Sequence, residues 1–282
     1  MEQTSDLIIR PAEPGDREKV FLFLEEVWEG EDYLPLVWDD WLADSKGQLV
    51  VAELNGEPIG TGRIADLGWG EYWLEGLRVS SAHRGRGVAG QIQEYLLEFW
   101  ERSHGKSIGY LTHKDTVAVH RLARKAGFKA CFSVGMVRWG AVEGAHDFEP
   151  CEDRSLASKR LLSWSQAHGL HGRMETRWAY PKISLERLLR HDLIYCWRQD
   201  RGLAVLEHDE EDGVVTVALA SVSLSREDVD AFLIDLARLC SMLGVESGRW
   251  FAPHQWLETI RNSQAGMRVV DDIEMICYMK ER

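Results

Sequence analysis

The residues best suited to chemistry lie between positions 75 and 90, Glu-Gly-Leu-Arg-Val-Ser-Ser-Ala-His-Arg-Gly-Arg-Gly-Val-Ala-Gly. Gly85, Gly87 and Gly90 carry no Cβ, so the backbone there can turn tightly and a ligand can come close to it. Arg84 and Arg86 add two full positive charges beside them. From Val88 onward, apolar residues at Ile92, Leu96, Leu97 and Trp100 recur at helical spacing. The first N–H groups of a helix have no acceptor inside it and carry a partial positive charge. A basic glycine turn entering a helix suits an anion, and a diphosphate best, because directed donors and positive potential coincide.

One common phosphate motif fails on this stretch, because no Gly-Lys-Ser/Thr follows the glycines, as a P-loop requires; Gly85, Gly87 and Gly90 do keep the G-x-G-x-x-G spacing of a dinucleotide turn, a pattern that is weak by itself. What fits is Arg84-x-x-Gly87-x-Ala89, preceded by Leu77-Arg78-Val79 on an apolar strand, and a later helix ending Lys125-Ala-Gly-Phe128. Together these resemble the two signatures of the GCN5-related N-acetyltransferases. The resemblance implies acetyl-CoA as co-substrate, its pyrophosphate at Arg84, Gly85, Arg86, Gly87, Val88, Ala89 and Gly90. It implies a pantetheine arm paired along Leu77, Arg78 and Val79, and Thr116 where the family often has an asparagine at the start of its second-signature helix. The family's frequent tyrosine, a general acid, is replaced by Ala123; His120, one turn away, is expected to face solvent. Glu75-Gly-Leu-Arg-Val with Arg84 to Gly90 is also similar to the animal histidine Nα-acetyltransferase group, which bears on substrate class.

Acetyl transfer needs a neutral attacking nitrogen. At pH 7 an α-amine is about 1.4 kcal/mol from that state and a lysine-like amine about 4.6 kcal/mol. Glu75 is the candidate general base, because strand alternation would place it on the face of Leu77 and Val79. Glu71, Glu31 and a water chain ending on His113 are the alternatives.

These residues need a scaffold, and the pattern supplies one. Leu7 to Pro11 reads as a strand, and Asp16 opens a helix carrying Val20, Phe23, Leu24, Val27 and Trp28. Tyr33, Trp38, Asp39 and Trp41 follow, where a short helix would flank a cleft. Gln48–Glu53 and Glu57–Ala65 form strands turned by Asn55-Gly56. After the organising strand and helix come a strand at Ser107–Thr112, a helix at Thr116–Phe128 and a strand at Ala130–Trp139. That is the acetyltransferase order over residues 6 to 143. The expected class is α/β (α+β type), a mixed central sheet flanked by helices. Beyond Glu149-Pro150 the same order returns, with Ala265-Gly-Met267 where Ala126-Gly-Phe128 stood, so a tandem duplication is expected. Residues 1–145 are expected to be the catalytic domain and 150–282 a degenerate copy. In the second half, Ser221 to Asp228 has no glycine and sets carboxylates at a helix start, which would repel a diphosphate. That half is expected to complete the fold, line the cleft or mediate a homodimer.

The 282 residues are 45% hydrophobic and 28% charged, as in soluble globular proteins. A formal charge of -13 argues against nucleic acid or an anionic membrane as partner. No apolar run approaches the roughly 20 residues of a membrane span, and the polar first residues lack a secretory plan, so a cytoplasmic location is expected. Cys131, Cys151, Cys196, Cys240 and Cys277 show no C-x-x-C spacing and are expected to be buried free thiols, with no metal site. The expected function is transfer of acetyl from acetyl-CoA to a primary amine of a small molecule, such as an amino acid, by direct attack in a ternary complex. The alternatives are a CoA-binding regulatory module and a protein N-acetyltransferase.

Overall fold

A computed structural model describes residues 7–25, 32–199, 201–208, 215–218, 226–263, 265–266 and 268–282. The chain packs as two units: Met1–Tyr110 with Ala118–Lys129 and Met279–Arg282, and Leu111–Val117 with Ala130–Tyr278.

The first unit contains β1 (Leu7–Pro11), α1 (Arg17–Leu24), α2 (Leu34–Ala43), β2 (Gln48–Leu54), β3 (Glu57–Gly68), β4 (Glu71–Val79) and α3 (Val88–Arg102). β5 (Ser107–His113) and α4 (Val117–Lys125) follow and lie mostly within it. β1 to β4 pair antiparallel in chain order, and β4 pairs parallel with β5, as a helical crossover through α3 requires. Asn55 and Gly56, at φ 54° and 83°, make the tight turn between β2 and β3. Pro35 sits in the first turn of α2, where its missing N–H costs nothing.

The two faces of this sheet are covered by different helices. Val20, Phe23, Leu24, Leu34, Trp38 and Trp41 of α1 and α2 pack with Leu49 and Val51 of β2. On the other face α3 buries Val88, Ile92, Leu96 and Trp100. It approaches β3 closely because Gly62 has no side chain: a Cβ there would lie 2.8 Å from Ile92 Cγ2. Alternation then turns Thr61 and Arg63 toward α2.

β4 carries one extra residue. Arg63 opposes Glu75 and Thr61 opposes Arg78, so Gly76 and Leu77 together face Gly62. Gly76 takes φ +66°, and a Cβ on it would stand 2.5 Å from the Trp41 ring. The bulge overturns the expected alternation. Leu77 turns to the α3 face, 3.7 Å from where a Gly62 Cβ would be, while Glu75 and Arg78 share the α2 face. The parallel ladder with β5 runs only from Glu71/Ser107 to Trp73/Gly109, while β4 continues along β3 to Val79.

The second unit holds β6 (Lys129–Gly140), β7 (Phe148–Pro150), α5 (Arg154–Ala167), α6 (Leu185–Leu188), β8 (Leu193–Trp197), β9 (Gly202–His208) and β10 (Val215–Ala218). It continues with α7 (Arg226–Met242), β11 (Ser247–Pro253), α8 (His254–Arg261) and β12 (Arg268–Glu281). β7, β8, β9 and β10 pair antiparallel in chain order, and β10 pairs parallel with β11. β6, which the sequence pattern grouped with the first half, pairs antiparallel with β11. α6 is a single turn, at whose start Ser184 Oγ accepts the Arg187 N–H. β7 is three residues long, too short to leave a periodic signal. Met267, of the expected Ala265-Gly-Met267 match, lies outside the described residues.

Gly76→Ala should destabilise the protein by about 2–5 kcal/mol. The left-handed backbone costs about 1–2 kcal/mol, and displacing the Trp41 ring costs about 1–3 kcal/mol. Urea unfolding measures this, and a loss below about 0.5 kcal/mol would reject a bulge packed on Trp41.

Candidate active site

The turn between β4 and α3 has the geometry its sequence demands. Gly85 and Gly87 take φ +77° and +84°, and nothing lies within 4 Å of where their Cβ atoms would be. These glycines therefore serve backbone conformation and open space, not packing. Gly87 caps α3, and its carbonyl accepts the Gln91 N–H at 3.2 Å. The N–H groups of Val88, Ala89 and Gly90 precede the first intrahelical donor and carry the positive end of the helix. Arg84 and Arg86 are exposed beside them. Arg84 Nε donates to Val79 O at 3.2 Å and so ties the turn back to the end of β4. Gly90 is less constrained, since a Cβ there would meet Leu122 at 3.6 Å, an ordinary contact.

A second cluster lies on the α2 face of β3 and β4. Arg63 donates from Nη1 to Glu75 Oε1 and from Nη2 to Asp44 Oδ2, the latter at 2.6 Å. Its guanidinium lies 4.8 Å from the centre of the Trp41 ring. Arg78 grips Asp32 with Nε at 2.6 Å and Nη2 at 3.3 Å, and lies 5.5 Å from the Tyr33 ring centre. Asp32 Oδ1 also accepts the Leu34 N–H at 3.0 Å, so the start of α2 is pinned to β4 beyond the bulge. Burial alone would push the Asp44 carboxyl up, but hydrogen bonds from the Lys46 N–H, Arg63 and the Gly47 N–H outweigh it and hold it below the ordinary carboxylate value.

Glu75 is half-buried in this cluster. Of its alternatives, Glu71 is buried, with Ser107 Oγ donating to it at 3.5 Å; Glu31 lies outside the described residues. His113 belongs to the second unit, where its Nδ1 accepts the Asp115 N–H at 3.3 Å. Thr116 is also in that unit, in the turn before α4, donating its N–H to His113 O at 3.1 Å. His120, expected at the surface, is buried, because it shares the inward stripe of α4 with Ala123. Trp38 belongs to the core, and Asp39 is exposed and paired with Arg17 at 3.2 Å. Arg63, Asp44 and Asp32 were not singled out by sequence pattern. Their only signal is strand register across the β3–β4 pair, which the bulge conceals.

In the second unit, Ser221 to Ser225 lie outside the described residues, and Asp228 in the first turn of α7 is buried and paired with Arg201. Glu175 accepts from Arg249 at 3.3 Å, and burial raises its carboxyl above the ordinary value. None of the five cysteines forms a disulfide; Cys151, Cys240 and Cys277 are buried, while Cys131 and Cys196 are only partly buried, contrary to expectation. Among the described residues no group of three or more His, Cys, Asp or Glu is placed to hold a metal ion, and no helix is long and apolar enough to cross a membrane.

Residues 17–128, which span the α1–α2 cluster, the bulged strand and the glycine turn, match the Acetyltransferase (GNAT) family. Over these residues the chain is similar to GNAT acetyltransferase domains. The human protein named Probable N-acetyltransferase 16 is 34% identical over 109 residues, 38% of this chain and 30% of that protein. Histidine N-acetyltransferase of Scomber australasicus is 31% identical over 119 residues, 40% of this chain and 35% of that protein. The chain thus spans about a third of the length of these curated relatives. A GCN5-related N-acetyltransferase from Sphaerobacter thermophilus superposes with a TM-score of 0.64 at 16% identity, covering 98% of this chain and 95% of that one. The GNAT fold therefore extends beyond the domain that the sequence match delimits.

Because the folded Asp44 carboxyl lies below its unfolded value, it stabilises the domain above the ordinary carboxylate range, and this contribution is lost as pH falls through the folded value. The urea midpoint of the parent should therefore drop more steeply than that of Asp44→Asn on acidification below about pH 4. Parallel curves for the two proteins would contradict this.

Proposed function

We propose that the chain is an N-acetyltransferase that moves the acetyl group of acetyl-CoA to the primary amine of a small molecule, an amino acid or related metabolite, in a ternary complex. The observation that carries this reading is the left-handed glycine turn at Gly85 and Gly87, open where side chains would stand and flanked by exposed Arg84 and Arg86. These residues fit a diphosphate: the N–H groups of Val88, Ala89 and Gly90 would hold its oxygens, with the two guanidiniums as counter-charges. The backbone of Leu77, Arg78 and Val79, past the end of the β4–β5 ladder, would pair with the pantetheine arm. Bound acetyl-CoA supplies an activated acetyl thioester. Backbone N–H groups at the end of β4 would polarise its carbonyl.

Among the described residues of this ion-paired cluster, the carboxylates Asp32, Asp44 and Glu75 outnumber the guanidiniums Arg63 and Arg78 by one charge. Such an excess favours an acceptor arriving as an ammonium ion. Glu75 is the group read as taking its proton, at a cost of about 1.4 kcal/mol for an α-amine at pH 7. The similarity to histidine N-acetyltransferases supports an amino acid as acceptor. The second unit is read as a non-catalytic product of duplication. In support, β10, α7 and β11 repeat the strand, helix and parallel strand of β4, α3 and β5, and the Asp228–Arg201 pair stands at the start of α7.

Arg84→Ala combined with Arg86→Ala should weaken CoA binding by about 10- to 100-fold in calorimetry, with unfolding unchanged because both side chains are exposed. Unaltered affinity would remove the cofactor from this turn. A thiol-release assay with acetyl-CoA and free amino acids should show turnover, whereas CoA binding without release across amines would favour a regulatory module.

A further inference from the structure

We propose that Arg63 is a positioning residue for this acetyl transfer, a guanidinium held by Asp44 and Trp41 that fixes the Glu75 carboxylate for proton removal from the acceptor amine. The proposal rests on the reading of Glu75 as the base. The Gly76 bulge sets Glu75 directly across from Arg63 and on the α2 face. Arg63 spends one terminal nitrogen on Glu75 and the other on Asp44, while its Nε is buried with no hydrogen-bond partner. A planar fork divided between two carboxylates and laid on an aromatic ring has little freedom to swing.

Each support is itself fixed. Asp44 Oδ1 accepts the Lys46 N–H at 2.9 Å, and its Oδ2 occupies space that a side chain at Gly47 would invade, 2.5 Å from a Cβ there. The Trp41 ring is held between Arg63 and Gly76. Among the described residues, the charged groups of this cluster are Asp44 after α2, Arg63 on β3, Glu75 and Arg78 on β4, and Asp32 before α2, with Arg78 gripped by Asp32. In the step concerned, one proton passes from the acceptor nitrogen to Glu75, and Arg63 keeps all of its own.

The test is the pH profile of kcat/KM for amine acetylation, alongside CoA affinity by calorimetry. Arg63→Gln should lower kcat by about 100-fold through misplacement of Glu75, and should leave CoA affinity unchanged. It should also move the acid limb to higher pH, because a neighbouring cation favours an ionised carboxylate. Asp44→Asn, which removes a neighbouring anion, should move the limb the opposite way and serves if Arg63→Gln does not fold. Arg63→Lys should restore the limb toward its parental position but not the rate, since a point charge cannot span both carboxylates. An acid limb unmoved in both Arg63→Gln and Asp44→Asn would overturn the proposal. Glu75→Gln separates the two readings: if it keeps the parental limb, the base assignment itself falls. If it abolishes the limb while Arg63→Gln leaves the profile intact, only the role of Arg63 falls.

Discussion

A single inserted residue in β4 decides which way the chemistry of the first unit points. Without the extra residue at Gly76, the strand would alternate through to Val79, and Glu75 and Arg78 would lie on opposite faces. With it, both face α2, and Leu77 joins the apolar contact with α3. The left-handed angle at Gly76 and the Trp41 ring against its Cα make the bulge possible only with glycine. Everything on the α2 face follows. Arg78 reaches Asp32 at the start of α2, Arg63 reaches Asp44 just after its end, and each guanidinium lies over an aromatic ring. Partly buried ion pairs of this kind offset their desolvation cost best with close, multiply bonded geometry, which these have.

Two kinds of glycine stand out in the first unit. Gly60 and Gly62 on β3 are small because α3 sits on them: a Cβ on Gly60 would lie 3.1 Å from Ile92 Cδ1. Gly85 and Gly87 meet nothing and take positive φ. The first kind serves internal packing, and the second leaves donors and space for something from outside. Two exposed arginines at that opening, in a chain of formal charge -13, make a local positive field on an acidic background.

The second unit also contains a parallel strand pair, β10 and β11, beside a long amphipathic helix, with different charges around it. Where α3 begins on an open glycine, the described part of α7 begins with a carboxylate already matched to Arg201. Inside the unit, Arg249 is buried between Glu175 and the Trp178 ring, an arrangement that uses charge for internal packing.

Sequence pattern alone was enough to delimit most elements of both units, because amphipathic helices, the Asn55-Gly56 turn and the strand runs are local signals. It also located the glycine turn, since left-handed backbone and helix-end donors are properties of a short stretch. What it misread were matters of facing and partnership. His120 is buried, because which side of α4 meets the core depends on what packs there. Glu75 does not share a face with Leu77, because alternation fails at a bulge that shows only when β3 and β4 are paired. Arg63, Asp44 and Asp32 stand well apart from Glu75 and Arg78 in the chain, and only tertiary structure brings these charges together, by stacking α2 on a strand pair whose register no single segment encodes.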